Sequence, residues 1–498
     1  MNVIKRVAAE FHAVLSSTKM WYAVLAIFAF QALWMTLSMI YPGVFDEGVH
    51  FETIKLYATQ WSPFFDIQVP ANDYLGQIIG QTSFLFYWLF SFVYRFLEAI
   101  GLNEIAIILV LRFINIGLFG AGLVVGRKLL REVKVSRAAT NLALFVFVMI
   151  PVVPQLAAQI NYDNPLFLLT NISLLLTVRI IASVRDQKQV PLRQLLAWLT
   201  VGLTASIIKV AFLPIFAAAG LVLGGWLIWY FKRQSSPIMK LRQQLPIAGL
   251  RDYALLGAFV VVGSLFVLRY GGNVVNYGQL QPGCDVVLSE QRCRAFGPYG
   301  RDYGLRQGLS ANFEPDPVQY IQDWYRGMHK RLLFTINGNT VVDTYQNFPP
   351  LPVVSATIHA LSAIGLGVVL LTLRRRSKSP SDVLFITVIV VYVGVLMVRN
   401  YTGSYTTTGQ MVAINGRYLL LVLLPAMAVV LRATAELLRG QTALKTFLAT
   451  VIIFGMLQGG GVSGFVIRST DSWWWNVPEV ATLNRTAGDI AGPLIIGD

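Results

Sequence analysis

The sequence is poor in charged residues. Only 13% of its 498 residues are Asp, Glu, Lys or Arg, against 55% hydrophobic residues, and the mean hydropathy is +0.60. This composition lies outside the range of soluble globular chains. Acidic residues are scarcest, at 25 against 40 basic ones, so the net charge is +15. In so apolar a chain, the basic excess indicates cytoplasmic loops of a polytopic membrane protein and not a nucleic-acid binder.

Several sequence signatures are also missing. The chain has no basic cluster interleaved with aromatic residues, no zinc-ligand spacing, no Walker loop and no dinucleotide fingerprint. It has no internal repeat and no low-complexity linker. Cysteine is limited to Cys284 and Cys293, in one hydrophilic stretch. A pair of cysteines in a loop that we place outside the cell predicts a disulfide, with two free thiols as the alternative.

Long apolar runs make up most of the chain. The first, 21–40, is not followed by a small-x-small cleavage site, which favours a retained signal anchor. The run 195–230 is long enough for two short spans that meet near Lys209, ahead of Pro214. The other runs are about 104–126, 138–155, 162–182, 253–270, 351–373, 381–398, 417–433 and 445–467. The expected fold is an all-α polytopic membrane protein with about eleven transmembrane helices.

Basic residues predict how these spans are oriented. Five clusters fall on the cytoplasmic side if the chain has eleven spans, an inside N-terminus and an outside C-terminus. They lie at Arg127–Arg137, Arg185–Arg193, Lys232–Arg251, Arg374–Lys378 and Arg432–Lys445, and include Lys188, Lys240 and Arg242. The agreement requires that 81–100, with Arg95 and Glu98, forms an interfacial or re-entrant helix. A twelfth span there would put the first cluster outside.

This topology predicts the domain organisation. We expect a membrane core at 1–270 with a catalytic first outer loop at 41–103, an extracytoplasmic loop at 271–350, further transmembrane helices at 351–467 and an extracytoplasmic tail at 468–498. The tail carries Trp473, Trp474 and Trp475. Three tryptophans just beyond a span are typical of an interface belt, with a sugar-stacking surface as the less favoured alternative.

Acidic residues at the expected outer ends of the spans are the first candidates for chemistry. Asp46 and Glu47 follow the first span directly, where a carboxylate pair must face water, a metal or a cation. An ordinary solvated loop is the alternative. Asp163 begins another span, after Asn161 in the turn 159–165. An Asp at that place is often a helix N-cap, which is the alternative to a catalytic role.

Cationic residues are expected near the same face. Lys209 lies in an apolar context at the tip of the divided run, where a buried cation needs an anionic partner or ligand. Arg417, followed by Tyr418, opens a span from outside, and Arg112 lies within one. Arg417 alone is explained better by snorkelling than by a functional role. Together with the carboxylates, these residues indicate a site with a general base and a cationic pocket for phosphate.

Short motifs with these residues resemble those of GT-C glycosyltransferases. Asp46-Glu47 is similar to the paired acidic motif of that superfamily. The segments Leu85-Phe-Tyr-Trp-Leu-Phe90, Val110-Leu-Arg-Phe113 and Gly126-Arg-Lys128 resemble the protein O-mannosyltransferase and lipid A aminoarabinose transferase lineage. A large bacterial integral-membrane family with an Asp-Glu-x-x-His-Phe motif and a later Gly-Arg-Tyr-Leu…Leu-Pro is nearer still. Here these read Asp46-Glu47-Gly-Val-His50-Phe51 and Gly416-Arg417-Tyr418-Leu through Pro425. The resemblance covers roughly 20–230 and 380–430.

The resemblance implies a polyprenyl-phosphate sugar donor and transfer on the extracytoplasmic face of a bacterial plasma membrane, as in cell-envelope biogenesis. Asp46 would be the general base, with Glu47 and Asp163 as further catalytic carboxylates. Lys209, Arg417 and Tyr418 would bind the donor phosphate. The acceptor is a saccharide, lipid or protein. The loop 271–350 is outside the resemblance, and the sequence leaves the sugar and the acceptor open.

Three residues are expected in supporting roles: His50, Asn161 and Arg112. His50 is expected to titrate near neutrality and to orient Asp46, hold a metal or hold the acceptor. No cofactor is required by the motifs. Asp46, Glu47 and Asp163 have the oxygen ligands that Mg²⁺ or Mn²⁺ prefers, so a metal there stays open.

Two other classes of function remain as alternatives. A transporter or flippase of a lipid-linked saccharide also needs charged groups at a membrane interface, but should have symmetric repeats and charges near the midplane of several spans. Arg112 and the divided run 195–230 are the features of that kind in the sequence. A scaffold for an envelope assembly is the third interpretation. The sequence favours the enzyme.

Overall fold

The computed structural model describes residues 2–187, 189–233, 249–333, 351–376, 379–412 and 414–496. Within these ranges the regular elements are helices, and the only strand-like pairing is one isolated bridge between Met39 and Trp474. The all-α class expected from the composition is therefore confirmed. Four basic residues of the expected cytoplasmic clusters (Lys188, Lys240, Arg242 and Lys378) and the stretch 334–350 lie outside the described residues.

The helices are numbered along the chain. The first ten are α1 (Asn2–Ser16), α2 (Thr18–Ser38), α3 (Glu47–Tyr57), α4 (Leu85–Ala99), α5 (Glu104–Glu132), α6 (Arg137–Val148), α7 (Val152–Ala157), α8 (Asp163–Ala182), α9 (Leu192–Ile208) and α10 (Leu213–Arg233). A 3₁₀ turn, Pro70–Leu75, lies between α3 and α4. Local sequence sets several of the starts: Ser17, Asn103 and Ser136 cap α2, α5 and α6 by accepting a backbone N–H with their side-chain oxygens.

The second half contains thirteen further helices in the described ranges. They are α11 (Leu250–Phe266), α12 (Gly272–Tyr277), α13 (Cys284–Val287), α14 (Glu290–Cys293), α15 (Gly297–Gln307), α16 (Pro317–Leu333), α17 (Pro352–Arg376), α18 (Pro380–Asn400), α19 (Thr406–Thr408), α20 (Leu420–Leu437), α21 (Thr442–Leu457), α22 (Ser463–Arg468) and α23 (Pro478–Ile495).

The expected spans all correspond to helices. Eight helical segments of the described chain are long and apolar enough to cross a membrane: α2, α5, α8, α10, α11 with α12, α17, α18 with α19, and α20. Three shorter apolar helices, α6, α9 and α21, occupy the remaining expected spans. The protein is therefore a multi-pass membrane protein.

The divided run near Lys209 is also confirmed. Helix α9 ends at Ile208, Lys209 is extended with φ −154° and ψ 124°, and a 3₁₀ turn at Val210–Phe212 leads into α10. This break interrupts the hydrogen-bond ladder inside an apolar segment. Such irregular backbone is tolerated at membrane depth only where it is buried in protein or lines a cavity.

Helix α4 remains at one end of the bundle, as the charge argument requires. Near its start, Phe84 donates its backbone N–H to Ile207 O. Near its other end, Arg95 donates to the carbonyls of Tyr57, Ala58 and Gln60 in the loop 41–103. Both ends of α4 thus contact residues at the Asp46 end of the bundle, so the segment does not cross.

The C-terminal tail returns to the Asp46 end. Ile40 donates its N–H to Trp473 O at 2.9 Å, and Trp475 donates to Ser38 O at 2.9 Å. Seven long and three short apolar helices of the described chain lie between Ser38 and the tail. Ten crossings, an even number, return the chain to the same side of the membrane. Trp473 and Trp474 are buried against Met35, Met39 and other residues of the bundle. The interface belt expected from the three tryptophans is therefore wrong for these two, because they pack into protein.

The loop after α12 packs on the first outer loop. Arg292 forms a bidentate ion pair with Asp73 at 2.6 and 3.0 Å, and Gln77 donates to Pro282 O at 2.8 Å. Cys284 and Cys293 form a disulfide with a Cα–Cα distance of 5.8 Å, which joins α13 to α14. The described part of the loop 271–350 therefore lies at the same end as Asp46.

The bundle predicts a labelling pattern. In a Cys284→Ser/Cys293→Ser background, the exposed positions Ile67 and Ser472 should react as Ile67→Cys and Ser472→Cys with a membrane-impermeant maleimide on intact cells, because both lie at the Asp46 end. Lys128→Cys, at the opposite end, should react only after permeabilisation. Reaction at 128 together with protection at 472 in intact cells would contradict the topology.

Candidate functional site

A tight turn after α2 presents Asp46. Phe45 and Asp46 have φ of 60° and 66°, a left-handed conformation that is uncommon for non-glycine residues. Gly43 begins the turn, and a Cβ there would lie 2.9 Å from both Glu47 Oε2 and Met39 Cε, so a larger residue would displace these side chains. Strained backbone of this kind persists where surrounding contacts hold it, often at functional sites. Here it directs Asp46 and Glu47 to different surroundings.

Glu47 is held in a buried ion pair. Its carboxylate accepts from Arg112 Nε at 2.8 Å and Nη2 at 2.6 Å, and also from the backbone N–H groups of Gly43 and Ile160. Both side chains are fully buried. Arg112 also donates Nη1 to Met39 O at 2.7 Å. The pair ties the end of α2 to α5 and to the turn before α8.

Asp46 belongs to a chain of alternating charges. Its Oδ2 accepts from Arg417 Nη2 at 2.9 Å. Arg417 Nε lies 3.6 Å from Asp163 Oδ2, too far for a hydrogen bond. Asp163 Oδ1 in turn accepts from Lys209 Nζ at 2.6 Å. The structure thus brings together four residues that are up to 371 positions apart in sequence.

These four residues differ in their access to water. The Asp46 side chain is 63% exposed, whereas those of Arg417, Asp163 and Lys209 are 4%, 6% and 9% exposed. Within the described residues, Arg417 Nε and Nη1 and Asp163 Oδ2 are buried without a hydrogen-bond partner. Unpartnered charged atoms are costly in so dry a place unless a ligand satisfies them. The arrangement therefore suits an anionic ligand that enters past Asp46.

Aromatic rings form the walls around the cations. Lys209 Nζ lies 4.3 Å from the ring centroid of Tyr162 and 4.8 Å from that of Tyr418. The Arg417 guanidinium lies 4.9 Å from the ring centroid of Phe45. Tyr418 therefore contributes a ring face to the site. Cation–π contacts of this kind partly compensate the charge of a buried ammonium or guanidinium.

The Gly-Arg-Tyr motif has a geometric explanation. A Cβ on Gly416 would lie 2.5 Å from the backbone nitrogen of Leu332 and 2.6 Å from Met328 O, so glycine allows α16 to approach. Asn415 accepts the N–H of Arg417 at 3.0 Å and caps the 3₁₀ turn that begins α20. The close approach and the cap together fix the direction in which Arg417 leaves the backbone.

Asn161 joins the two acidic turns. Its Nδ2 donates to Phe45 O at 2.9 Å, and its Oδ1 accepts the N–H of Asp163 at 2.9 Å. Asn115, on α5, accepts from the backbone N–H of Asn161 and from Asn164 Nδ2. Asp163 begins α8, but its carboxylate pairs with Lys209 and makes no N-cap hydrogen bond. Asn161 therefore links the turn that carries Asp46 to the start of α8, and its supporting role stays a prediction.

His50 faces the site from α3. Its Nδ1 shares a hydrogen bond of 2.9 Å with the Tyr87 hydroxyl, and its ring meets that of Tyr162 edge-on at 4.5 Å. Its Nε2 is buried and has no partner among the described residues. Burial lowers the pKa of His50 to about 4, even though the charge of Asp46 opposes this shift. The expectation that His50 titrates near neutrality is wrong, because its imidazolium form is too poorly solvated.

The pKa of Asp46 is shifted downward. Desolvation by the surrounding protein would raise it, but the charge of Arg417, the hydrogen bond from that residue and the charge of Lys209 outweigh desolvation and lower it. Asp46 is therefore ionised at neutral pH. An ionised carboxylate that is both exposed and next to a cationic pocket can accept a proton from a hydroxyl that approaches from water.

The three carboxylates considered for a metal have protein cations as partners. Across the described ranges no group of three or more His, Cys, Asp or Glu side chains is placed to share an ion. Glu47 and Asp163 are compensated by Arg112 and Lys209 at 2.6 Å. Each of these carboxylates thus has a protein cation as partner, and a metal at Asp46, Glu47 and Asp163 stays open, as the sequence leaves it.

The predicted site residues divide into two groups. Asp46, Asp163, Lys209, Arg417 and Tyr418 meet, with His50 and Asn161 beside them. Glu47 and Arg112 pair with each other instead, and Cys284 and Cys293 form a disulfide that is not part of this cluster. Sequence reasoning missed Tyr87, Tyr162 and Asn115. Tyr162 lies within the turn 159–165 and next to Asp163, which was the available signal.

Similarity to known proteins is found among solved structures. No protein-family model and no curated protein matches the chain. Among solved structures, the chain is similar to the archaeal oligosaccharyltransferase AglB from Archaeoglobus fulgidus, in complex with an inhibitory peptide and a dolichol-phosphate. The identity is 16%, the TM-score is 0.41, and the match covers 95% of this chain and 60% of that one. The chain thus spans about three-fifths of that protein's length.

The two neighbouring carboxylates should differ in their effect on stability. Glu47→Gln leaves Arg112 buried without an anionic partner, so it should lower the free energy of unfolding by about 3–5 kcal/mol. Asp46→Asn should change it little, because Asp46 is largely exposed. Thermal unfolding of the purified protein measures both.

A double substitution separates charge from packing in the same experiment. Glu47→Met with Arg112→Met removes both buried charges and should recover part of the stability that Glu47→Gln loses. Equal melting temperatures for Glu47→Gln and Asp46→Asn would contradict the structural role of the Glu47–Arg112 pair.

Proposed function

We propose that the protein is a membrane glycosyltransferase of the GT-C type that transfers a sugar from a polyprenyl-phosphate donor to an acceptor on the extracytoplasmic face of a bacterial plasma membrane. The observation that carries this proposal is the charge chain itself. An exposed carboxylate, Asp46, pairs with the buried Arg417, whose Nε and Nη1 have no hydrogen-bond partner among the described residues, and the buried Lys209 follows through Asp163. Sugar transfer from a lipid phosphate requires a general base and cationic groups that stabilise the leaving phosphate.

Asp46 is the general base in this mechanism. Its carboxylate removes the proton from an acceptor hydroxyl as that oxygen attacks the anomeric carbon of the donor. The bond between that carbon and the phosphate oxygen breaks, and the polyprenyl phosphate leaves with the bonding electrons. The exposure of Asp46 supports this role, because the acceptor reaches it from water.

Arg417 and Lys209 stabilise the leaving phosphate. Arg417 Nε and Nη1 are free to donate, and the Lys209 ammonium has three N–H donors, one of which is directed to Asp163 Oδ1. Hydrogen bonds from cations to phosphate strengthen as negative charge develops on the oxygen that leaves. Asp163 holds both cations in place and is the second candidate for the base. Glu47 has a structural role, because both of its oxygens are bonded to Arg112 and backbone N–H groups.

Removal of the base should abolish turnover but not donor binding. Asp46→Asn keeps the shape of the side chain and should reduce transfer by about a hundredfold to ten-thousandfold. Binding of undecaprenyl phosphate, the part common to such donors in bacteria, should persist because Lys209 and Arg417 are unchanged. Asp66→Asn, an exposed Asp in the same loop, is the matched control and should have normal transfer. Normal transfer by Asp46→Asn would move the base to Asp163, and full transfer by the Asp46→Asn/Asp163→Asn double variant would reject the mechanism.

Removal of a cation should weaken phosphate binding. Lys209→Met should reduce undecaprenyl phosphate affinity about tenfold to a hundredfold, because a charge-assisted hydrogen bond is lost. Lys330→Met, on exposed α16 surface, is the control. Lys209→Met alone leaves the buried Asp163 carboxylate without its Lys209 partner. The double variant Lys209→Met/Asp163→Asn also removes that carboxylate charge, so it tests the loss of the ammonium by itself. Undiminished binding by a folded double variant would contradict the pocket.

The pH dependence of transfer follows from two pKa shifts. The base must be deprotonated, and the pKa of Asp46 is lowered, so activity should be lost only as pH falls through that lowered value. His50, with a pKa of about 4, is neutral above about pH 5. The acid limb of kcat/KM, which reports the free enzyme, should therefore lie below about pH 5. A limb near pH 6.5, typical of an unperturbed histidine, would contradict this assignment.

A further inference from the structure

A second cavity lies in the first outer loop, on the side of α3 that faces away from the charge chain. It is enclosed by α3, the 3₁₀ turn Pro70–Leu75 and α4, and its volume is about 370 Å³. Its polar and aromatic lining consists of Glu52, Lys55, Asn72, Tyr74, Tyr94 and Glu98. We call this cavity the α3–α4 cleft.

Helix α3 separates the cleft from the charge chain. Glu47 and His50 are buried on one face, whereas Glu52 and Lys55 line the cleft on another. With a rise of 1.5 Å per residue, positions 47 and 55 lie about 12 Å apart along the helix. A ligand in the cleft is therefore too far away to react at Asp46 itself, but an oligosaccharide of a few units spans such a distance.

The cleft contains a buried amide that lacks a partner. Asn72 is 1% exposed, lines the cleft, and its Nδ2 donates to no group within the described ranges. A buried amide N–H₂ without an acceptor costs about 1–3 kcal/mol unless water or a ligand satisfies it. This donor capacity favours a ligand with oxygen acceptors.

One ammonium and three carboxylates lie in or next to the cleft. Lys55 Nζ contacts Glu52 Oε1 at 3.2 Å and Glu104 Oε2 at 3.3 Å, and Glu98 Oε1 accepts from the Tyr94 hydroxyl at 3.4 Å. A carboxylate can accept about four hydrogen bonds, so Glu52 and Glu98 retain acceptor capacity. The cleft therefore has carboxylate acceptors for the hydroxyl groups of a ligand as well as the Asn72 donor.

We infer that the α3–α4 cleft binds a neutral saccharide unit of the acceptor. Hydroxyl groups of a sugar both donate and accept, which matches two carboxylates, an ammonium and a free amide. The apolar C–H face of a sugar ring packs on aromatic faces, and Tyr74 is 46% exposed at the cleft. The volume falls within the range of small-ligand sites, enough for one or two sugar rings. This inference rests on the proposed transferase function, since it names the acceptor.

Saccharide binding to the full-length protein tests the inference directly. The protein is placed in lipid nanodiscs without glycoside detergent, and saturation-transfer NMR is recorded with maltose, lactose and chitobiose as probes. At least one should bind, and Tyr74→Ala should weaken it about tenfold. Tyr325→Ala, a tyrosine of similar exposure (49%) on α16, is the matched control and should bind normally. Glu98→Gln should weaken binding in the same direction.

Three outcomes would overturn the inference: no binding of any probe, equal binding by Tyr74→Ala and Tyr325→Ala, or binding of ethanolamine in place of the sugars. A transfer assay separates this result from the proposed function. If Asp46→Asn abolishes transfer but Tyr74→Ala leaves the acceptor KM unchanged, the cleft assignment alone fails. If Tyr74→Ala weakens disaccharide binding but Asp46→Asn transfers normally, the base assignment fails and the cleft remains a saccharide site.

Discussion

The buried ion pair between Glu47 and Arg112 is the contact on which the Asp46 end of the bundle depends. Two charges without exposure are tolerated only if their hydrogen bonds are satisfied, and here backbone groups from α2 and the turns at Gly43 and Ile160 complete the set. The pair therefore holds three separate segments together: the end of α2, helix α5 and the turn before α8. Asp46, one residue earlier, inherits its position from this contact, because the turn that carries it is fixed on both sides.

Adjacent carboxylates thus have different chemistry for a local reason. The left-handed backbone at Phe45 and Asp46 reverses the chain, so that Glu47 points into protein while Asp46 points to water. Asn161 holds Phe45 and the turn before α8 together, which brings Asp163 and Lys209 within reach of Arg417. Preorganisation of this kind lets charged side chains act without rearrangement when a ligand arrives.

Much of this architecture is predictable from the sequence, because membrane spans are long apolar runs and basic loops set their orientation. The break at Lys209 and the meeting of Asp46, Asp163 and Arg417 followed from charges at the ends of those runs. The pairing of Arg112 with Glu47 was not predicted, because a bidentate pair between residues 65 positions apart leaves no local signal in the sequence. Trp473 and Trp474 were misassigned because a tryptophan beside lipid and one packed on a neighbouring helix have the same sequence context.

The charge chain also suggests how donor binding prepares the base. Asp46 and Asp163 balance Arg417 and Lys209, so the four residues are neutral together before a donor arrives. A donor phosphodiester adds one negative charge and competes with Asp46 for Arg417. Both effects raise the pKa of Asp46 from its lowered value and make the carboxylate a stronger base. A carboxylate with a low pKa is a weak base, so a higher pKa of Asp46 makes proton removal from the acceptor hydroxyl more favourable. The site therefore becomes reactive toward that hydroxyl only when the sugar to be transferred is present.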